Sequence, residues 1–367
     1  MTDAERSARV QLARTKGVGP LTYSRFLETY GSGLAALDAF PERVRASGRG
    51  DLKLYPADKV RREFDETDHI GARIILSGDE DYPELLGHLS PAPPVITVWG
   101  NTDLLKKPCV ALVGSRNASA AAMRIAHDMA HDLGNGGYTV VSGLARGVDT
   151  ASHNGSLSTG TVAVIAGGID NIYPAQNENL RNQIKDTGLV VSESPFGHEP
   201  RANDFPRRNR LITGLSLGVV VIEAAQRSGS LISARTALEQ GREVMAVPGS
   251  PLDNRTRGSN GLIRSGAILV ENAEQVMEAI APAAPSQPSL FEMPDDDLND
   301  DLDDETLEFS EEDRARIIQA LSPTATTIAD ISLATGIPSR KCAILLVELE
   351  LEGIAGSLPG GLVRRQN

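Results

Sequence analysis

Six apolar runs, nearly continuous in Val, Ile, Leu and Ala, constrain this chain more than any other feature. They are Cys109–Gly114, Tyr138–Gly143, Val162–Gly167, Leu189–Ser192, Val219–Ile222 and Glu243–Val247. A strand with one wet face alternates apolar and polar residues, whereas a run without alternation belongs to a strand covered on both faces. Helix-length segments separate the runs. That spacing predicts right-handed βαβ crossovers and an α/β, doubly wound, mostly parallel Rossmann-like core sheet. Four of the six runs end in glycine or serine, which puts small residues at the carboxyl ends of those strands. In open α/β sheets the ligand crevice lies at that edge, so the site is expected there.

Four segments follow from composition. Residues 1–67 read as helical, with Leu12-Ala13-Arg14-Thr15-Lys16-Gly17-Val18-Gly19-Pro20 forming the turn of a helix-hairpin-helix (SAM-like) unit. Its amides either hold a nucleic-acid phosphate, with Lys16, Gly17 and Gly19 as secondary DNA contacts, or form an ordinary glycine-rich turn. Residues 68–281 are the sheet core. Residues 282–310 are an acidic, Pro-containing linker, and residues 311–367 read as three helices closed by a hairpin, a winged helix. The third of these helices carries Arg340 and Lys341 but also Glu348, Glu350 and Glu352, which fits a protein contact at least as well as DNA.

The formal net charge of -13 argues against a nucleic-acid partner only until it is localised. Thirteen acidic residues and no lysine or arginine lie between Glu292 and Asp313, and the remaining 36 Asp and Glu equal the 36 Lys and Arg. That stretch, ten of its thirteen acids in the linker and the last three opening the winged helix, therefore carries the whole imbalance. Its low hydrophobicity and one-sign charge predict disorder, and its charge also suits mimicry of nucleic acid. No apolar run reaches the roughly 20 residues of a membrane span, and the N-terminus lacks a secretory h-region. Cys109 and Cys342 are isolated, giving neither a disulfide framework nor a metal quartet. A reducing cytoplasm is expected, with no membrane association.

The carboxyl edge carries cations as well as small residues. Gly114-Ser115-Arg116 occupies the first βα turn, and Ser142-Gly143-Leu144-Ala145-Arg146-Gly147 closes the second run with the same combination. Gly167-Gly168 ends the third run, and Ser228-Gly229-Ser230 precedes another helix. Phe205-Pro206-Arg207-Arg208-Asn209-Arg210 places three arginines and an aromatic at the mouth of a helix, just after Arg201. Arginine forks match phosphate oxygens bidentately, and helix N-termini attract anions. Together these turns predict a groove following several phosphates rather than a cup for one, which suits single-stranded nucleic acid. Phe205 either stacks on a base or anchors the loop before Pro206. Aromatic residues make up only 4% of the chain, which keeps base contact local.

Common enzyme signatures fail. G-x-G-x-x-G is absent at Gly114–Ser119 and no Gly-Lys-Ser/Thr occurs, so no nucleotide cofactor is expected. Gly214-Leu215-Ser216-Leu217-Gly218 matches a nucleophile elbow but follows a helix and precedes a strand, the reverse of what an elbow needs. His127 and His131 are helical neighbours without a glutamate between them or a third ligand. Asp149, Asp170, Glu193 and Glu223 lie near strand ends, where capping a helix or orienting Arg116 or Arg210 is favoured over catalysis. No catalytic or metal residue is expected.

A longer series carries a resemblance. Gly114-Ser115-Arg116, Ser142 to Asp149, Tyr173-Pro174, Ser192-Glu193-Ser194-Pro195, Phe205 to Ser216, Glu223-Ala224, Ser228 to Leu231, Gly241-Arg242, Val247-Pro248-Gly249 and Gly258 to Ile263 occur in one order. This series resembles the DNA-processing protein A (DprA/Smf) family. The resemblance implies a non-enzymatic, dimeric, cytoplasmic protein that binds incoming single-stranded DNA in natural transformation, protects it and loads the RecA recombinase. It also implies that the glycine-serine-arginine turn and the 205–210 segment face DNA. The alternative is a nucleotide-processing enzyme of a related Rossmann-like fold, with Glu223 as its carboxylate.

Overall fold

The computed structural model describes residues 1–46, 52–281, 310–322, 326–358 and 362–365. They fall into two compact units, Met1–Ala284 and Pro285–Asn367. The acidic linker lies almost wholly outside the described residues.

The first unit opens with four helices, α1 (Asp3–Arg14), α2 (Pro20–Tyr30), α3 (Gly33–Ala46) and α4 (Ala57–His69). Thr2 accepts the Glu5 N–H to start α1. α2 begins with proline at its first position, where a missing N–H costs nothing, and ends at Gly31 with φ 77°. Between α1 and α2, Gly17 turns the hairpin at φ 83°. The helices rest on the sheet segment through Arg6, which pairs with Asp79 at 2.7 Å.

The sheet follows as β1 (Arg73–Leu76), α5 (Glu84–Gly87), β2 (Val95–Gly100), β3 (Cys109–Val113), α6 (Ala120–Asn135), β4 (Thr139–Ser142), α7 (Val148–Ser156), β5 (Thr161–Ile165), α8 (Glu178–Thr187), β6 (Leu189–Ser192), α9 (Asp204–Gly214), β7 (Gly218–Val221), α10 (Ser230–Glu239), β8 (Glu243–Ala246), α11 (Arg257–Arg264), β9 (Ile268–Leu269) and α12 (Ala273–Ile280). Strand order is β1-β2-β6-β5-β4-β3-β7-β8-β9. From β6 to β9 all neighbours are parallel, and β2 joins β6 antiparallel, as β1 joins β2. Each of the six expected runs forms a strand of the doubly wound sheet. β1, β2 and β9 extend it beyond the expectation.

Double coverage explains the unbroken runs. Ala111, Val113, Val219 and Val221 pack with Leu211 and Ile212 of α9 on one face. Their neighbours Val110, Leu112 and Val220 pack with Ala126, Met129 and Leu133 of α6 on the other. From β3 the chain winds outward through β4, β5 and β6, then returns to β7 on β3's free side. The loops after β3 and β7 therefore part company, leaving a crevice between them.

The second unit comprises α13 (Glu311–Ala320), β10 (Thr326–Thr327), α14 (Ile328–Thr335), α15 (Ser339–Leu351), β11 (Ala355–Leu358) and β12 (Leu362–Arg365). Its three-stranded sheet runs β10-β12-β11. Thr327 and Asp330 form a capping box on α14, and Ile317, Ile331, Leu345, Leu349 and Val363 share a core. This is a winged helix.

Candidate nucleic-acid interface

Two turns at the carboxyl edge are locked together through backbone. The Gly147 N-cap of α7 has φ 79°, and a Cβ there would lie 2.3 Å from the Ser115 carbonyl oxygen. That oxygen accepts the Val148 N–H at 3.2 Å, and the Ser115 N–H donates to the Glu223 carbonyl at 2.8 Å. Leu144 also lies in the left-handed region, at φ 56°, an uncommon place for a non-glycine residue. Its buried side chain and two hydrogen-bonding neighbours hold it there. Its N–H donates to His153 Nε2 at 3.3 Å, and its carbonyl accepts Asn177 Nδ2 at 2.8 Å. With Nε2 accepting, His153 Nδ1 donates to Thr161 Oγ1 at 2.9 Å. Burial, reinforced by the Arg208 charge, pushes His153 down to about 3, so its ring is neutral.

Over these turns lie two adjoining cavities, about 440 and 330 Å³ in volume. Both are lined by Arg116, Ala145, Phe205 and Arg208. Gly143, Arg146, Gly167, Asn171 and Tyr173 wall the larger one. Gly114, Ser115, Asn209 and Ser228-Gly229-Ser230 wall the smaller, where α10 begins. The partition between them is Arg116 over the Phe205 ring, its guanidinium carbon 5.1 Å from the ring centroid. Tyr173 contacts the same ring at 5.4 Å between centroids. The result is a groove with a cationic and aromatic ridge, not a single cup.

Several expected residues take other places. Ser142 is buried below the turn, donating to the Leu112 carbonyl at 2.7 Å. Arg208 is buried in the floor, where Nη1 donates to the carbonyls of Gly143 and Val164 at 2.5 Å each. Its Nε has no hydrogen-bond partner among the described residues. Burial lowers its pKa to about 10, against the pull of Asp149, so it remains charged. Arg207 and Arg210 line neither cavity, contrary to the expectation of three groove arginines. Helical spacing turns them to Glu193, which Arg210 contacts and Arg207 approaches at 3.3 Å. Arg201 is exposed outside the cavity walls, and Lys16, Gly17 and Gly19 are exposed at the α1–α2 hairpin. Tyr173, Asn171 and Gln176 line the groove without having been singled out as site residues.

A family model described as DNA recombination-mediator protein A matches residues 73–281. The chain belongs to this family. Two further family models, a DprA-like N-terminal HHH domain and a DprA winged helix domain, match residues 3–65 and 281–361. Protein Smf of Escherichia coli is 37% identical over 317 residues, covering 84% of this chain and 82% of that protein. DNA processing protein DprA of Streptococcus pneumoniae is 44% identical over 201 residues, 54% of this chain and 71% of that one. The crystal structure of Streptococcus pneumoniae DprA superposes with a TM-score of 0.64 at 32% identity, over 76% of this chain and 98% of that one. A structure of the Helicobacter pylori DNA processing protein A, described for its single-stranded DNA binding mode, gives 0.53 at 29% identity, over 57% and 95%.

Within this DNA-processing fold the strand-end carboxylates hold structure. Glu223 accepts the Ser119 N–H at 3.1 Å and its hydroxyl at 2.7 Å, tying the start of α6 to the loop after β7. Asp149 accepts the Ala145 N–H at 3.2 Å, its pKa raised by burial although Arg208 opposes the shift. Asp170 accepts the Gly197 N–H at 2.8 Å. His127 and His131 are exposed beside Asp128 and Asp132. The Gly214–Gly218 segment links α9 to β7, the reverse of an elbow. Among the described residues, no helix is long and apolar enough to cross a membrane.

Proposed function

We propose that this chain is a cytoplasmic, non-enzymatic recombination mediator. It binds incoming single-stranded DNA along the groove, protects it during natural transformation and loads RecA onto it. The observation that carries the reading is the Arg116–Phe205 partition between two cavities. Arg116 and Arg146 face solvent for phosphates, and the α10 N-terminus with Ser228 and Ser230 adds neutral donors. Phe205 and Tyr173 offer π-faces to a base, which stacks on Phe205 once Arg116 leaves the ring. The Helicobacter pylori relative, described by its single-stranded DNA binding, supports the same ligand here.

The protein acts as a homodimer through the core, whose edge strand β9 leaves Ile268 and Leu269 39% and 47% exposed, apolar side chains on an unpaired strand that a partner copy would cover.

Salt-titrated binding of single- and double-stranded DNA tests the groove. Arg116→Ala is expected to weaken single-strand binding at least 10-fold, about 1.4 kcal/mol. Undiminished binding would refute the groove as the site. RecA filament growth on strands coated with single-strand-binding protein tests the mediator role, and no acceleration by the protein would remove it.

A further inference from the structure

The arginines of α9 are divided between two environments. Arg208 belongs to the groove floor, whereas Arg207 and Arg210, one helical turn apart, both meet Glu193. Glu193 is 8% exposed and follows β6 directly. One carboxylate oxygen takes Arg210, and the other stands 3.3 Å from Arg207 Nε, an ion pair without hydrogen-bond alignment. The Glu193 carbonyl accepts Arg14 Nη1 at 2.8 Å, and Arg14 is itself paired with Glu63 at 2.7 Å.

This carboxylate matters more for charge than for position. α9 is already fixed by buried Leu211 and Ile212 and by the Arg208 bonds to Gly143 and Val164. Without Glu193, however, Arg207, with 59% of its side chain exposed, and Arg210 would form a cationic patch outside the groove, offset in part by Asp204, which feels Arg207 but is already bonded to His198. Such a patch attracts phosphates of any nucleic acid, because backbone charge carries no sequence or strand information. The groove, by contrast, adds the Phe205 and Tyr173 rings, whose faces an unpaired base can stack on and a base inside a duplex cannot.

We propose that Glu193 is a specificity-determining residue: by engaging Arg207 and Arg210 it keeps phosphate binding inside the groove and denies the outer face of α9 to duplex DNA. This rests on the single-strand reading above, but its test reads duplex binding, which does not require the groove. Full-length wild type, Glu193→Gln, Glu193→Asp, Arg207→Ala and the Glu193→Gln/Arg207→Ala double variant are titrated with single- and double-stranded DNA across salt. Arg207→Ala alone is expected to change single-strand affinity less than about 2-fold, since its charge is already engaged. Glu193→Gln is expected to tighten duplex binding at least about 5-fold at low salt and to steepen its log–log salt slope by about 0.9, one added phosphate contact. The double variant should return to wild-type duplex binding, and Glu193→Asp should keep wild-type selectivity. An unchanged duplex affinity and slope in a folded Glu193→Gln protein overturns the proposal. So does Arg207→Ala weakening single-strand binding as much as Arg116→Ala. The latter is decisive even if Glu193→Gln fails to fold, because Arg207 is exposed. A groove that fails shows instead as intact single-strand binding by Arg116→Ala.

Discussion

Arg208 donates from a single guanidinium nitrogen to the carbonyls of Gly143 and Val164, so one cation ties the second βα turn to β5 from below. Arg208→Ala leaves two buried carbonyls without this donor, and each unsatisfied group costs roughly 1–3 kcal/mol. Denaturant midpoints should fall accordingly, with single-strand binding lost as the turn relaxes. Arg116→Ala removes an exposed side chain and should shift stability by no more than about 0.5 kcal/mol while weakening binding. Equal stability losses in the two variants would contradict this division of roles.

Phe205 is the position where a base competes with a guanidinium. Stacking contributes about 1–3 kcal/mol per base, so Phe205→Leu, which keeps apolar bulk, should weaken single-strand binding about 5- to 150-fold. Fluorescence anisotropy with a labelled oligonucleotide measures it. Unchanged affinity would reduce the ring to a wall supporting Arg116.

Two glycines of the turns that build the groove should respond oppositely to alanine. Gly147 combines φ 79° with a backbone oxygen 2.3 Å from the would-be Cβ, and Gly147→Ala should cost about 1–3 kcal/mol while displacing Arg116. Gly229 has φ -60° and nothing within 4 Å of its would-be Cβ, so Gly229→Ala should be neutral or stabilising by about 0.4–1 kcal/mol. Thermal melts of both variants check the pair.

His153 predicts a pH dependence of definite sign. Its folded pKa of about 3 lies below the ordinary value of 6.5, so between those limits the unfolded chain binds the extra proton. Stability is therefore fully present above about pH 6.5 and is lost as pH falls, by up to about 1.4 kcal/mol per unit. Denaturant unfolding at pH 7, 6 and 5 should show this slope. His153→Gln should flatten it, and an identical slope in that variant would assign the effect elsewhere.

The sheet was legible because burial on both faces imposes an unmistakable pattern on β3 to β8. β1 and β2 were harder to read: Arg73–Leu76 is short, and Val95–Gly100 follows Pro91-Ala92-Pro93-Pro94, which reads as loop. The groove's two poles, Arg116 and Phe205, were also readable, since both stand beside turn chemistry. The fate of Arg207 and Arg210 was not. Adjacency in sequence suggested one cluster, but helical periodicity splits it, and the deciding carboxylate arrives from the loop after β6. Tyr173 left a weaker trace, visible only as Tyr173-Pro174, with nothing local to aim it at Phe205. Glu223 behaved as a capping residue because its partner, Ser119, begins the neighbouring crossover helix.

The parting of the loops after β3 and β7 has one more consequence. The cleft arises from strand order, before any side chain is chosen, so its existence and its chemistry are separable. Stripping Arg116, Arg146 and Phe205 should leave an open but inert socket rather than a collapsed one. The same scaffold can then accept a different ligand by resurfacing a few loop positions, with the nine-stranded foundation left as it is.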